Sequence, residues 1–191
     1  MQYSSYIHDQ TFDKIIPPDY LSEKVEFENC IILNCDLSEF NFTEFRFIDC
    51  EFRNCNLSLV KLRNTSLQNV RFYSCKMLGL HFNDCNSFGF SVLFDHCVLN
   101  HATFYKVKLK NTSFIYCQLK ETDFSECDLS CVSFDNCDLT LAIFDHTNLE
   151  GADFRTASHY SIDPENNRVK KAKFSIVGLP GLLEKYNLDI E

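Results

Sequence analysis

From Phe27 onward the chain places an apolar residue at every fifth position: Phe27, Ile32, Leu37, Phe42, Phe47, Phe52, Leu57, Leu62, Leu67, Phe72, Met77 and Phe82. After a break the step resumes at Phe94 and runs through Leu99, Phe104, Leu109, Phe114, Leu119, Phe124, Leu129, Phe134, Leu139, Phe144 and Leu149 to Phe154, Phe and Leu alternating throughout. Only 45% of the residues are hydrophobic, so such a run has chance odds of about one in 10⁸ and the period belongs to the fold. A period of five fits neither an amphipathic helix nor a flat strand. The backbone must turn once per repeat. Two residues ahead of the centres lies a second set that is small or apolar, as at Val25, Cys30, Cys35, Val60, Thr65, Val70, Cys97, Ala102, Val107, Thr112 and Cys117. Two positions in each five therefore face inward and three face outward.

Segments such as Ala152-Asp153-Phe154-Arg155-Thr156 and Cys127-Asp128-Leu129-Ser130-Cys131 resemble the A(D/N)LXX unit of the pentapeptide-repeat family, over about residues 25–157. The resemblance implies an all-β fold, a right-handed quadrilateral β-helix with four repeats per coil. Residues twenty apart then stack. Phe94, Phe114, Phe134 and Phe154 form one column, Phe104, Phe124 and Phe144 line the opposite wall, and Leu columns fill the other two. At a strand spacing of about 4.8 Å, some six coils make a rod roughly 30 Å long. Its interior is full, so no buried ligand site is expected.

Both ends of a solenoid need covering. Residues 1–24, with Tyr3, Tyr6, Ile7, Phe12, Ile15 and Ile16 before Pro17 and Pro18, suit an N-terminal cap laid over the first coil. Residues 158–191 read as a linker and a short C-terminal helix, since Leu179, Leu182, Leu183 and Tyr186 have the spacing of one helical face. Pro180 suits the first turn and Asn187 the stop. The stretches from Ser161 to Arg168 and from Lys171 to Ser175 resemble the tail of microcin-immunity and quinolone-resistance relatives. That resemblance implies a tail-to-tail homodimer, with Phe174, Leu179, Leu182, Leu183 and Tyr186 at the interface. Between Phe82 and Phe94 the step exceeds two repeats by two residues, so a bulge or kink is expected over residues 83–93.

The inward small position also holds ten of the eleven cysteines: Cys30, Cys35, Cys50, Cys55, Cys75, Cys85, Cys97, Cys117, Cys127 and Cys137. There a free thiol behaves as a small buried hydrophobe. Their spacing in multiples of five, without a Cys-x-x-Cys pair, does not read as a metal site. Cys131 alone is out of register and should be exposed. His81, His96, His101, His146 and His159 fall at outward or linking positions and form no nucleophile–base series. With no phosphate loop, metal spacing or pocket, a non-enzymatic protein without catalytic residues or cofactor is expected. No apolar run reaches the roughly 18 residues of a membrane span, and Met1 to Gln10 lacks the features of a signal peptide. A cytoplasmic location follows as an expectation, with the cysteines free.

Charge varies along the rod. Residues 61–120 hold two acids against eight Lys and Arg, whereas from Glu121 to Phe154 nine acids stand with no base: Glu121, Asp123, Glu126, Asp128, Asp135, Asp138, Asp145, Glu150 and Asp153. Turn chemistry before the repeat centre accounts for Asp123, Asp128, Asp138 and Asp153. Assigned to walls, the nine form a band around the rod, denser along its axis than the phosphates of duplex DNA. The resemblance implies a DNA mimic that binds DNA gyrase or topoisomerase IV through these acids, without itself binding nucleic acid or a membrane. The alternative expectation is a general protein-interaction module that docks a flat wall on another partner.

Overall fold

The computed structural model describes residues 5–15 and 24–189. Its strands are β1 (Ser5–His8), β2 (Thr11–Asp13), β3 (Val25–Glu28), β4 (Ile31–Leu33), β5 (Arg46–Ile48), β6 (Glu51–Arg53), β7 (Ser66–Gln68), β8 (Val70–Tyr73), β9 (Val92–Asp95), β10 (Ser113–Ile115) and β11 (Ser133–Asp135). All pairings are parallel. One sheet runs β1-β3-β5-β7, and the other runs β2-β4-β6-β8-β9-β10-β11. Partners lie twenty residues apart, as in Phe27 with Phe47 and Phe114 with Phe134. Isolated bridges such as Asp36 with Asn56 and Asn41 with Lys61 continue the same stacking on the two remaining sides. The chain is thus a right-handed, four-sided β-solenoid.

The four sides are conveniently lettered by their inward centres. Wall A carries Ile7, Phe27, Phe47, Leu67, Leu109, Leu129 and Leu149, and wall B carries Phe12, Ile32, Phe52, Phe72, Phe94, Phe114, Phe134 and Phe154. Wall C carries Leu37, Leu57, Met77, Leu99, Leu119 and Leu139. Wall D carries Phe42, Leu62, Phe82, Phe104, Phe124 and Phe144. All of these centres are buried. Rings in one column lie parallel, Phe114 and Phe134 at 5.2 Å, while those of facing columns meet edge-on, Phe114 and Phe124 at 5.9 Å and 81°. Both arrangements suit the ring quadrupole.

Most corners are made by a residue in the left-handed region, two positions after the centre, Asp84 and Thr156 being exceptions. Asn29, Asn34, Asn54, Asn64, Asn69, Asn111 and Asn136 sit at such corners, as do Leu59, Glu121, Cys131 and Leu141. Asn tolerates this conformation well, whereas a β-branched side chain does not. Val, Ile and Thr are absent from the left-handed corners among the described residues, and Thr156, at the corner after Phe154, is not left-handed. Asn corners also join coils, as Asn29 Nδ2 donates to Asp9 Oδ1 and Asn54 Nδ2 to Asn34 Oδ1.

Three expectations need correction. The N-terminal segment is not a cap over the first coil: β1 and β2 pair in register with β3 and β4, and Ile7 and Phe12 are buried centres one coil ahead of Phe27 and Ile32. Tyr6 and Ile15 are exposed there. Tyr3, Ile16, Pro17 and Pro18 lie outside the described residues. Likewise the coil runs on beyond residue 157, through bridges of Asn148 with Arg168 and Asp153 with Lys173. Phe174 therefore stacks on Phe154 at 5.3 Å and extends the wall B column, and it is not a free interface residue.

The third correction concerns the tail. Instead of one α-helix, Leu179–Leu182 and Glu184–Tyr186 form two 3₁₀ turns closed by bonds such as Leu183 N–H to Pro180 and Tyr186 N–H to Leu183. The cause is close packing on Tyr160. A Cβ at Gly181 would lie 2.1 Å from the Tyr160 carbonyl oxygen, and one at Gly178 1.9 Å from its hydroxyl. Both glycines admit the tail to this contact, which Ile162 N–H secures by bonding Gly181 O.

At the break the register shifts from twenty to twenty-two, pairing Val70 with Val92 and His81 with Thr103, and then returns to twenty. The extra residues form a bulge, not a kink. Phe82–Asp84 makes a 3₁₀ turn, Gly89 takes φ +67°, and Phe88 projects into solvent. The wall B column passes unbroken, with Phe72 on Phe94 at 5.4 Å.

Candidate interaction surface

Outward side chains are placed by the repeat, so each acid's surroundings follow from its position in the five and from its neighbours one coil away. Asp123, Asp128, Asp138 and Asp153 sit just before a centre. Each accepts a bond from the backbone N–H two residues on, from Ser125, Ser130, Thr140 and Arg155 respectively. This is the side-chain turn of Asp and Asn, and it agrees with the sequence reading. Burial pushes the Asp128 carboxyl up, but bonds from Ser130 and Asn148 prevail and hold it below the usual range.

The band of nine acids does not survive stacking as a uniform ring. On wall A, Asp128 and Glu150 lie between Lys108 and Lys110 one coil before and Arg168, Lys170 and Lys171 one coil after, with Arg168 2.9 Å from Glu150. On wall B, Asp153 meets Arg155 at 2.7 Å and Lys173 at 3.7 Å, while Asp135 accepts from Thr156 Oγ1. On wall C, Glu121 lies 3.2 Å from His101 and 3.8 Å from Lys120, and Asp138 2.9 Å from His159.

Wall D keeps the largest excess of carboxylates. Asp123, Glu126 and Asp145 occupy two successive coils, and Asp163 and Glu165 continue the series in a turn that Asn167 ties to Phe144 O and Asp163 O. Among the described residues, the cations of this patch stand at its borders: Lys106 lies 3.4 Å from Glu126, and Lys185 lies 2.7 Å from both Asp163 and Glu165. The ion-pair partner of Asp145 among the described residues is His146, at 3.0 Å. Leu141 and Ile143 are exposed beside the patch. Asp163 and Glu165 were missed in the sequence because they fall after the repeats, and only the count of twenty from Ile143 and Asp145 would have found them.

Toward its other end the same wall is mixed in charge, with Glu44 paired to Lys24 and Asp84 beside Lys61 and Arg63. Lys61, Arg63 and His81 border an open groove of about 590 Å³, with Asn41, Thr43 and Leu59. In the tail, Leu182 is half-buried against the core, whereas Leu179, Leu183 and Tyr186 are largely exposed, together with Ile176 and Val177. Among the described residues no three His, Cys, Asp or Glu side chains converge as a metal site, and no helix is long and apolar enough to cross a membrane.

The geometry defines a solenoid with flat charged walls and a filled core, built on a unit of five residues. A family profile described as a pentapeptide repeat region matches residues 25–88 and 89–163, and the chain belongs to the pentapeptide repeat family. Among solved structures, full-length QnrB1, described as a plasmid-mediated fluoroquinolone resistance protein, superimposes with a TM-score of 0.64 at 16% identity, covering 98% of this chain and 99% of that one. A trypsin-treated form of QnrB1 gives a TM-score of 0.64 at 17% identity, covering 97% and 98%. HetL of the cyanobacterium Nostoc, described as involved in heterocyst differentiation regulation, gives 0.43 at 13% identity over 92% and 87%. Comparison with curated proteins returns no match. At such identities the likeness is one of fold.

Proposed function

We propose that the protein is a non-catalytic cytoplasmic rod whose wall D docks on the DNA-contacting surface of DNA gyrase or topoisomerase IV, in place of duplex DNA. The observation that carries this reading is the run of Asp123, Glu126, Asp145, Asp163 and Glu165 on one wall. Two coil spacings, about 10 Å, hold these five carboxylates, and the same length of duplex carries roughly six phosphate charges. The likeness to QnrB1, whose description is fluoroquinolone resistance, supports the reading. A homodimer through the exposed Leu179, Leu183 and Tyr186 would present two such walls. A second reading, a general interaction module, is favoured by the exposed Leu141 and Ile143 at the edge of the acids.

Purified gyrase separates the two. Under mimicry, the chain binds gyrase and alters supercoiling, duplex DNA competes, and binding weakens with salt as the screening length shortens to about 8 Å. The variant Asp123→Asn, Glu126→Gln, Asp145→Asn should lose binding at an unchanged melting temperature. Sedimentation of the same preparations reads the dimer. A parent chain that neither binds gyrase nor changes supercoiling at low salt would leave the general module as the function.

A further inference from the structure

Ahead of wall C, the small inward position is cysteine in six successive coils: Cys35, Cys55, Cys75, Cys97, Cys117 and Cys137. Packing alone accepts more variety. The equivalent column ahead of wall B reads Cys30, Cys50, Val70, Val92, Thr112, Val132 and Ala152. The register of the cysteine column is fixed rung by rung. Asn56 N–H bonds to Cys35 O, Lys76 to Cys55, Val98 to Cys75, Gln118 to Cys97 and Asp138 to Cys117, all at 2.9–3.0 Å. All six thiols are buried and free. Each thiol donates to a backbone carbonyl, as Cys75 does to Phe52 O and Cys97 to Phe72 O at 3.4 Å, so that the thiols repeat in the same place coil after coil.

Six sulfurs in a line cannot enclose a tetrahedral ion. A linear, two-coordinate ion is a different case. Two metal–sulfur bonds of about 2.3 Å span about 4.6 Å, against a coil spacing of about 4.8 Å. We propose that the column Cys35 to Cys137 is a binding site for soft, thiophilic d¹⁰ cations in linear coordination, each held between the sulfurs of two adjacent coils. Thiolate ligands select such ions. For a divalent ion, two RSH and M²⁺ give M(SR)₂ and two H⁺, which leave to solvent, and no electron is transferred. Mercury(II) leaves a neutral unit in the core, whereas copper(I) leaves one negative charge, so the divalent ion binds more tightly. Entry requires a coil to open, so loading is slow.

The test compares two arrangements of the same number of thiols in the full-length chain. The background carries Cys131→Ser, removing the exposed thiol, and Cys50→Val, separating Cys30 from its neighbour. One variant adds Cys55→Ala, Cys97→Ala and Cys137→Ala, so that the remaining rungs lie about 10 Å apart. The other adds Cys97→Ala, Cys117→Ala and Cys137→Ala, leaving Cys35, Cys55 and Cys75 adjacent. Alanine already follows the column, at Ala157. Mercury(II), copper(I) and zinc(II) are titrated without oxygen, following sulfur-to-metal charge-transfer absorption and melting temperature.

The background should take one mercury or copper ion per two column thiols and melt higher. The adjacent variant should keep one ion, and the alternating variant should lose both signals. Zinc should produce neither. If a triple variant does not fold, Cys55→Ala with Cys117→Ala against Cys117→Ala with Cys137→Ala poses the same question, with one ion expected for the first pair and two for the second. Equal binding by both arrangements, equal affinity for zinc, or uptake that lowers the melting temperature would overturn the proposal.

Discussion

The coils before and after the bulge fill the same square section in different ways. After it, walls B and D supply Phe and walls A and C supply Leu in coil after coil, so each ring stacks in its column and meets the facing column edge-on. Before it, Phe27 and Phe47 stand on wall A, Phe45 takes a position that is small elsewhere, and one coil is lined by Leu57, Leu62 and Leu67. That coil encloses a void of about 20 Å³, and the groove beside Lys61 and Arg63 opens over it. The fold demands a filled volume, and the Phe–Leu alternation is one way of filling it. Irregular filling leaves a recess beside Lys61 and Arg63.

The most severe way to break the regular half is to charge it. Phe134 is fully buried and its ring touches those of Phe114, Phe124, Phe144 and Phe154. Phe134→Asp should cost more than about 4 kcal/mol, since the carboxylate has no partner and water cannot reach it. Its neighbour Asp135 faces outward, and Asp135→Ser should change stability by less than about 0.5 kcal/mol. Urea unfolding followed by circular dichroism measures both. An unchanged midpoint for Phe134→Asp would refute the inward assignment of the column.

A gentler substitution compares the halves directly. Leu129→Phe inserts volume at a fully buried centre between regular Phe columns and should cost about 1–3 kcal/mol. Leu62→Phe makes the same change beside the void, between Phe42 and Phe82, and should cost less than about 1 kcal/mol. Equal losses for the two variants would mean that the void does not soften the first half.

How much of this could be read beforehand depends on the range of the interaction. The inward centres, the columns of twenty, nine of the ten inward thiols and the exposed Cys131 follow from a short repeat and were legible, whereas Cys85, in the bulge, is only partly buried. The first coil was not, because Pro17 and Ser22 interrupt the five-step between Phe12 and Phe27. The left-handed corners left a trace in the Asn residues at Asn29, Asn34 and Asn54, blurred by Glu, Lys and Leu at the same position. The tail misled because residues three apart share a face in a 3₁₀ turn as well as in an α-helix. The acidic band misled most. Glu150 and Arg168 are eighteen residues apart in sequence and 2.9 Å apart in space, so a linear count of charge misses the cancellation between coils.

The smallest expected effect concerns how the tail is attached compared with how the coils are held. The coils are held mainly by buried apolar rings, which do not titrate, with ion pairs such as Arg168 and Glu150 only on their surface, whereas the tail is pinned by Lys185 between Asp163 and Glu165 and by Tyr186 Oη donating to Glu165 Oε1. Hydrogen bonds from Lys185 lower the pKa of both carboxylates, and bonds to Asp163 and Glu165 raise that of Lys185. Carboxylates with lowered folded values stabilise docking above their unfolded range, near 3.8 for Asp163 and 4.5 for Glu165, and the contribution is lost as pH falls through the folded values. The raised Lys185 works in the opposite sense: its contribution is complete below 10.5 and is lost as pH rises through its folded value. Docking should therefore be strongest between about pH 5 and 10 and weaken outside that window. Hydrogen-exchange protection factors of residues 179–187 should fall at both extremes before those of β10 and β11 do. Lys185→Gln should loosen the tail at neutral pH and flatten the profile, because no cation then lowers the two carboxyls. A tail protected equally at pH 3 and pH 7 in the parent would show that packing of Gly178 and Gly181 on Tyr160, rather than the ion pairs, holds it in place.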